Sequence, residues 1–437
     1  MAGAFCRPLV FLGKMHKTHC RAEALAGADV AEWVMRKRIR VGIVGFGRMG
    51  RGFVSAMQAS GDWDIVAISD VHPATRELAG RTVPSARIVD NAEAILTDPS
   101  IEVAGLFTLA DARPAQLRLA LRHGKHILAE KPLAADAATE RKLVEEIEAT
   151  DRLVAVNIFN RNAWYHKELQ AFIAEGEIGR LAIVRVCHMT PGHMPGEGHE
   201  PEGPPFHDCG MHYVDVARWY AQSEYATWHA QGLRMWNHKD PWWVQVHGAF
   251  QNGVVFDITQ GFVYGHLAHD KTHNCYVDII GTKGICRMRH DFQFATIECN
   301  GIHCTKQKTA PFNDKKLDVM CNTFVRSLRA GKNLGLPSPR DSAIASEVAW
   351  AMLADAVKND PPVIGTGGEL KQILQHRRGL RSGYGLPVRP EECPAEPLAP
   401  GEPSRACGEE FCGPTGGSDD PCDEGPGMRQ SPLAKPC

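Results

Sequence analysis

Apolar positions along this chain follow two rhythms. Between residues 39 and 157, short runs rich in branched residues, Ile39-Arg-Val-Gly-Ile-Val44, Asp64-Ile-Val-Ala-Ile-Ser69, Val103-Ala-Gly-Leu-Phe107 and His126-Ile-Leu-Ala129, read as buried parallel strands. Helical segments lie between them, one directly after the glycine turn at Gly45 and one from Pro114 to His123. That alternation predicts a doubly wound parallel sheet of the Rossmann type. Further along, a helix containing Glu168 to Ile173 ends at the Gly176 and Gly179 punctuation. Strands then dominate, at Leu181 to Val186, Val244 to Phe250, Val254 to Gln260 and Tyr276 to Ile280, before helices return around Asn322 to Ala330 and Ile344 to Lys358. No internal repeat is evident.

The first strand runs into Gly45-Phe-Gly-Arg-Met-Gly50, whose glycines divide the work of a dinucleotide turn. Gly45 permits the sharp bend, Gly47 lets the backbone approach a pyrophosphate, and Gly50 lets the next helix lie close to the strand. Phe46, Arg48 and Met49 complete the loop, and the phosphate is expected at the helix N-terminus. The second strand ends in Asp70, twenty residues beyond Gly50, where a carboxylate accepts hydrogen bonds from an adenosine ribose. The same carboxylate repels the extra phosphate of NADP, so NAD is the expected cofactor, with His72 and Arg76 leaving NADP open. Ligands on such sheets gather at the carboxyl ends of the strands, where Asp70, Thr108, Glu130 and Lys131 are expected to emerge.

Two further segments bear proton chemistry: Glu130-Lys-Pro132, and Asp208 four residues before His212. Taking a hydride from a carbinol carbon leaves a carbonyl only if the hydroxyl proton also departs, so a base titrating near neutrality must lie within reach. Histidine meets that requirement unaided, and a nearby ammonium stabilises a developing alkoxide. Asp208 and His212 share a helix face if the helix has begun by Asp208, which also suits an N-cap. Asp215 extends the stripe and could hold the imidazole or a backbone group. Taken singly, Lys131 reads as a turn residue, His212 as a core histidine and Asp208 as a cap.

In this order the motifs resemble the Gfo/Idh/MocA oxidoreductases. The resemblance covers roughly residues 38 to 365 and rests on Gly45-x-Gly-x-x-Gly50, Ala129-Glu-Lys-Pro-Leu133, Asp208-Cys-Gly-Met-His-Tyr-Val-Asp215 and, more loosely, Ile280-Gly-Thr-Lys-Gly284. It implies an α/β protein: an N-terminal Rossmann domain, then an α/β domain whose large, mainly antiparallel sheet covers the nicotinamide and often forms the oligomer interface. It further implies that Lys131 touches the reacting oxygen, that His212 exchanges its proton and that Asp208 assists. The activity so implied is NAD(P)-dependent hydride transfer at a secondary alcohol or carbonyl of a sugar, cyclitol or related polyol, by a dimer or tetramer. An NAD-dependent glycosidase and a non-catalytic dinucleotide sensor on the same scaffold stand as alternatives. The chain departs from the family pattern at Thr108-Leu-Ala-Asp111, in the loop before Asp208 with its Pro204-Pro205, and in a long tail.

Asn160, Arg161 and His207 are expected to bond substrate hydroxyls, with Trp164 presenting an aromatic face; Tyr165, Trp219, Trp242 and Trp243 are further candidates. The stretch from Arg185 to His212 holds Cys187, His188, His193, His199, His207, Cys209 and His212. Its irregular spacing offers no paired zinc motif, so a long substrate-side loop is expected and no metal.

Composition bounds the rest. A chain of 437 residues, 43% hydrophobic, suffices for two globular domains, and a net charge of −2 argues against a nucleic-acid partner. No apolar run is long enough to span a membrane. The expected organisation is an N-terminal extension over 1–37, a dinucleotide-binding domain over 38–157, a substrate and oligomerisation domain over 158–365, and a C-terminal extension over 366–437, disordered from about 390 where apolar residues thin out. Five of fourteen cysteines lie in that tail, at Cys393, Cys407, Cys412, Cys422 and Cys437. A reduced, cytoplasmic setting is the expectation.

Overall fold

A computed structural model describes residues 38–191, 203–235, 238–264, 272–312, 315–358, 360–365, 369 and 372. The expectations for 1–37, for the tail beyond 390 and for His193 and His199 lie outside the described residues.

The first rhythm of the sequence becomes six strands, β1 (Ile39–Val44), β2 (Trp63–Ser69), β3 (Arg87–Val89), β4 (Val103–Leu106), β5 (His126–Ala129) and β6 (Val154–Val156). Helices α1 (Arg48–Ser60), α2 (Pro73–Thr82), α3 (Glu93–Leu96), α4 (Arg113–Arg122) and α5 (Ala137–Glu148) connect them. Every pairing is parallel, in the order β3-β2-β1-β4-β5-β6. Both faces are covered, so β1 and β4 read as continuous apolar runs rather than alternating ones. Each such side chain contributes about 1.5–3 kcal/mol on leaving water. Strand order reverses between β1 and β4, which opens a crevice at their carboxyl ends.

After a 3₁₀ turn at Phe159–Asn162 come α6 (Trp164–Ala174), β7 (Leu181–Met189), a π-helical turn at Phe206–Gly210 and α7 (Met211–Ala221). Then follow β8 (Tyr225–Met235), β9 (Trp243–Phe250), β10 (Val255–Gly261), β11 (Asn274–Gly281), β12 (Ile285–His290), β13 (Phe294–Asn300) and β14 (Thr305–Pro311). The chain continues through α8 (Leu317–Ala330), α9 (Pro339–Val357) and β15 (Val363–Ile364). The strands form a nine-stranded, mostly antiparallel sheet, ordered β14-β13-β12-β11-β7-β10-β9-β8-β15. One face is buried, and register partners there line up across strands: Phe256, Val184, Ile279 and Cys286 make one row, and Ile258, Val186, Val277 and Met288 the next. Period-two alternation on a half-buried sheet is the cause.

Seven strands escaped the apolar pattern: the short β3, β6 and β15, and β8, β12, β13 and β14. β14 carries Lys306 and Lys308 on a sheet edge, where exposed lysines discourage a further strand from pairing. β12 and β13 alternate buried positions with others so frequently polar that no apolar run stands out, and β8 buries only Tyr225 and Ala230. Chain order also departs from spatial order. Met320, Cys321, Phe324 and Val325 of α8 share a core with Phe53, Val54, Met57 and Trp63, so a late helix completes the parallel-sheet layer.

Helix α9 begins with a capping box, Ser338 Oγ accepting from Asp341 N while Asp341 accepts from Ser338 N. The other carboxylate oxygen of Asp341 accepts from Arg161 at 3.2 Å and Arg218 at 3.0 Å. Burial opposes the Asp341 charge, but these guanidiniums outweigh it and hold the carboxyl below its ordinary range. Arg161 keeps Asp215 and Arg218 keeps Glu224, so Asp341→Ala is expected to cost about 2 kcal/mol, through the lost charge-assisted bonds to both guanidiniums. Ser338→Ala is expected to cost only about 1 kcal/mol, a lost cap. Urea unfolding at constant slope measures both; equal losses would mean that the arginines do not depend on Asp341.

Candidate active site

At the end of β1 the backbone turns through Gly45 at φ +90°, where a Cβ would sit 2.8 Å from the Phe107 carbonyl oxygen. A Cβ on Gly50 would meet the Gly45 carbonyl oxygen at 2.1 Å, so α1 approaches β1 only with glycine there. Gly47 has open space around its would-be Cβ, and as N-cap of α1 it supplies no side-chain cap. The leading N–H groups of α1 are thus presented at an uncapped, unobstructed helix end, the arrangement that receives a pyrophosphate. Phe46, Arg48 and Met49 lie in the same turn.

Asp70 stands at the carboxyl end of β2 beside this turn. Its Oδ2 accepts from Phe46 N at 2.8 Å and its Oδ1 from His72 N at 2.9 Å. Arg76 donates to the carbonyls of Asp70 and Val71, both at 2.9 Å, so the cation is folded back beside the carboxylate. A cleft lined by Arg76, Ile88, Val89, Asp90 and Asn91 opens there. The residues fit a dinucleotide with its ribose at Asp70.

Lys131, directly after β5, reaches the entry to α7. Its Nζ donates to the Asp208 carbonyl oxygen at 2.9 Å and forms a close ion pair with Asp208 Oδ1. Asp208 does not cap a helix, contrary to one expectation: it lies inside the π-helical turn, its carboxylate turned to Lys131, and α7 starts after Gly210. His212 follows in the first turn of α7, buried, with its Nδ1 lacking a hydrogen-bond partner among the described residues. Burial, then the charges of Lys131 and Lys315, hold this imidazole well below its ordinary pKa, with Asp208 opposing. The neutral imidazole can accept a proton, but burial and the neighbouring ammonium weaken it as a base relative to the near-neutral titration expected from sequence.

Several supports were not evident from sequence. Arg113, fully buried, donates to the carbonyls of Thr108 and Pro132, tying the loop after β4 to the loop after β5. Leu133 N donates to Glu140 Oε1 at 2.8 Å, and burial raises that carboxyl to about 7. Glu130 accepts from Asn157 Nδ2 at 2.7 Å, while Thr108 Oγ1 and Gln116 Oε1 lie 2.6 Å apart. Lys315 packs its Nζ 3.2 Å from Met49 Sδ and 6.0 Å from the Phe159 ring, which itself lies 4.4 Å from the His212 ring. The only advance signal for Arg113 was the departure from the family pattern just before it.

The expected substrate contacts divide. Asn160 is buried against α7, its Nδ2 donating to the His212 carbonyl at 3.1 Å. His207 lies close enough to Lys131 and Asp208 to feel their charges, but its Nε2 is 2.9 Å from Ser346 Oγ and its ring stacks on Trp350. Arg161 is committed elsewhere, forking onto Asp215 at 2.6 and 2.7 Å. Burial works against its charge, but Asp215 outweighs that and raises its pKa. Asp215 accordingly holds Arg161 and not the His212 imidazole. Trp164 turns to the edge strand, donating to the Pro311 carbonyl beneath Lys308. Trp242 stacks on His238, and Tyr165 and Trp219 pack in or against the core.

Comparison with known proteins adds the following. Residues 39–158 match the family described as oxidoreductase family, NAD-binding Rossmann fold, and residues 166–287 match the GFO/IDH/MocA C-terminal domain; together they span more than half of the chain. The chain is 25% identical over 330 residues to an inositol 2-dehydrogenase of Pseudomonas fluorescens, covering 72% of this chain and 93% of that one. It is 29% identical over 239 residues to a 1,5-anhydro-D-fructose reductase of Ensifer adhaerens, covering 51% and 69%. The fold is shared with the WlbA dehydrogenase of Bordetella pertussis, solved with NADH and UDP-GlcNAcA, at a TM-score of 0.62 and 18% identity over 74% of this chain and 98% of that one.

Three buried imidazoles carry a pH consequence. Burial is the largest cause that lowers His166 to about 3, His207 to about 4 and His212 well below its ordinary value. The unfolded chain binds protons that these rings refuse in the fold, so stability is full above about pH 6.5 and is lost as pH falls below it. The slope approaches about 1.4 kcal/mol per pH unit for each ring. Urea midpoints measured near pH 7.5 and near pH 5.5 should fall together with this proton uptake; an unchanged midpoint would contradict the burial assigned to the three rings.

Proposed function

The chain belongs to the Gfo/Idh/MocA family of oxidoreductases, and on that premise we propose that it transfers a hydride between a nicotinamide dinucleotide and the carbinol carbon of a sugar, cyclitol or related polyol. The observation that supports this most is the meeting of Lys131, Asp208 and His212, from the loop after β5 and the entry to α7, in one buried cluster at the carboxyl end of the parallel sheet. The named relatives, one acting on inositol and one on an anhydro-sugar, support a polyol substrate.

A dinucleotide held by the Gly45–Gly50 turn and Asp70 supplies the hydride chemistry. The protein supplies the rest. With a substrate hydroxyl against Lys131 Nζ, the ammonium stabilises the negative charge that develops on oxygen, and His212 takes the hydroxyl proton; in the reverse direction both roles invert. Asp208 holds the lysine in place with its carbonyl and its carboxylate, so the ammonium arrives without a search through rotamers. Burial keeps His212 neutral until the proton arrives, and the lost shielding from water strengthens every charge interaction at the reacting oxygen. Asp70 favours NAD over NADP through repulsion of a 2′-phosphate, with Arg76 the nearest cation able to offset it. The family resemblance supports association of copies through the open face of the nine-stranded sheet; a monomer by sedimentation at every concentration would contradict that.

Lys131→Met and His212→Ala should each lower turnover by about 10²–10⁴ while leaving dinucleotide affinity within a few-fold of wild type. A polyol panel read by NADH absorbance, alongside fluorescence titration of the dinucleotide, makes the comparison. Wild-type turnover in either variant overturns its assigned role. Turnover of a glycoside without net NADH would move the reading to a glycosidase.

A further inference from the structure

On the buried face of the nine-stranded sheet, two successive rows of register partners are almost wholly apolar. The third row is not. Gln260 on β10, His188 on β7, Cys275 on β11 and His290 on β12 stand directly opposite one another, in register, on four adjacent strands. Burying four polar side chains side by side on a core face costs free energy unless they share a partner. Some local pairing exists: Cys275 Sγ lies 3.4 Å from His188 Nδ1, and His188 stacks on Tyr213 at 4.8 Å. Yet His290 Nδ1 and Gln260 Nε2 are buried with no hydrogen-bond partner among the described residues.

We propose that His188, Cys275 and His290 form a binding site for a divalent d-block cation of the zinc class, with a fourth position open to water or a substrate oxygen. One ligand atom from each residue lies within 4.8 Å of the other two. Two ligands of one tetrahedral ion, at about 2.0 Å for nitrogen and about 2.3 Å for sulfur, stand about 3.5 Å apart. The His188–Cys275 pair already has that separation, and small rotations of the His290 side chain close the rest. Adjacent strands place facing side chains about 5 Å apart, so a thiolate on the middle strand flanked by two imidazoles converges on one point above β11. Two imidazoles and a thiolate suit a borderline ion such as Zn²⁺ and not Mg²⁺ or Ca²⁺, which want oxygen. Binding exchanges the thiol S–H bond for a sulfur–metal bond, and the released proton goes to solvent.

The site sits behind Tyr213, the neighbour of His212, so an ion there ties β7, β11 and β12 beneath the helix that carries the proposed base. It does not depend on the hydride-transfer reading. Ligands for it come from three strands and not from the histidine-rich stretch where a zinc motif was sought, His188 alone being common to both.

The test uses the full chain with Cys393, Cys407, Cys412, Cys422 and Cys437 changed to serine, which removes the tail thiols as competing ligands. After chelator treatment, Co²⁺ is titrated and the thiolate-to-cobalt charge-transfer band is recorded, followed by displacement with Zn²⁺. The expected result is one equivalent of cobalt per chain with the charge-transfer band. Cys275→Ser should abolish the band, and His290→Ala should weaken zinc affinity by about ten-fold or more. Cys321→Ser, buried in the other core, should change neither. Retained dinucleotide binding reports that the variants are folded, and a rise in the thermal midpoint with Zn²⁺ in the parent chain supplies a readout if one is not. Absence of the band in the parent chain, or the same band and stoichiometry with Cys275→Ser, overturns the proposal.

Discussion

The Lys131–Asp208 ion pair joins positions 77 residues apart, and most of what surrounds it serves to hold its two ends still. Both side chains are about nine-tenths buried, so neither charge could remain there without the other. The lysine end is fixed by Arg113 drawing the Thr108 and Pro132 carbonyls together and by Glu140 accepting from Leu133 N. The aspartate end is fixed by the π-helical turn, by Asn160 bonding the His212 carbonyl and by Phe159 against the His212 ring. A pair worth little on a surface thereby becomes a constraint on where the parallel sheet's crevice meets α7.

The same logic explains why the molecule keeps a second buried charge network a short distance along α7. Arg161 bonds both Asp215 and Asp341, Arg218 bonds Asp341 and Glu224, and the capping box of α9 shares Asp341. That network orients α7 and α9 against each other, and His207, in the π-helical turn before α7, meets Ser346 of α9. One helix therefore carries the proposed base, His212, and a structural carboxylate, Asp215, three residues apart.

What could be read in the sequence follows from which physics is local. The parallel strands were legible because two-sided burial demands unbroken apolar runs, and the glycine turn because Gly45 and Gly50 stand where no Cβ fits. Lys131, Asp208 and His212 were picked out by motif and do come together. Arg161 misled because a guanidinium beside a site looks the same in sequence whether it faces a ligand or a carboxylate such as Asp215. Arg113 was passed over because its partners are backbone carbonyls, which carry no sequence signature. The row of Gln260, His188, Cys275 and His290 was invisible for a different reason: adjacency across strands depends on register, and β12 itself was not recognised as a strand.

The central claim is that the amine of Lys131 and the imidazole of His212 face the carbon that exchanges hydride with the dinucleotide. A crystal structure of the protein with NAD and an unreactive polyol addresses it most directly. The account requires the pyrophosphate on the α1 N-terminus and the nicotinamide C4 about 3–3.5 Å from a substrate carbon whose oxygen contacts both Lys131 Nζ and the His212 ring. A nicotinamide directed away from that pair, or a substrate oxygen held by other groups, would contradict it.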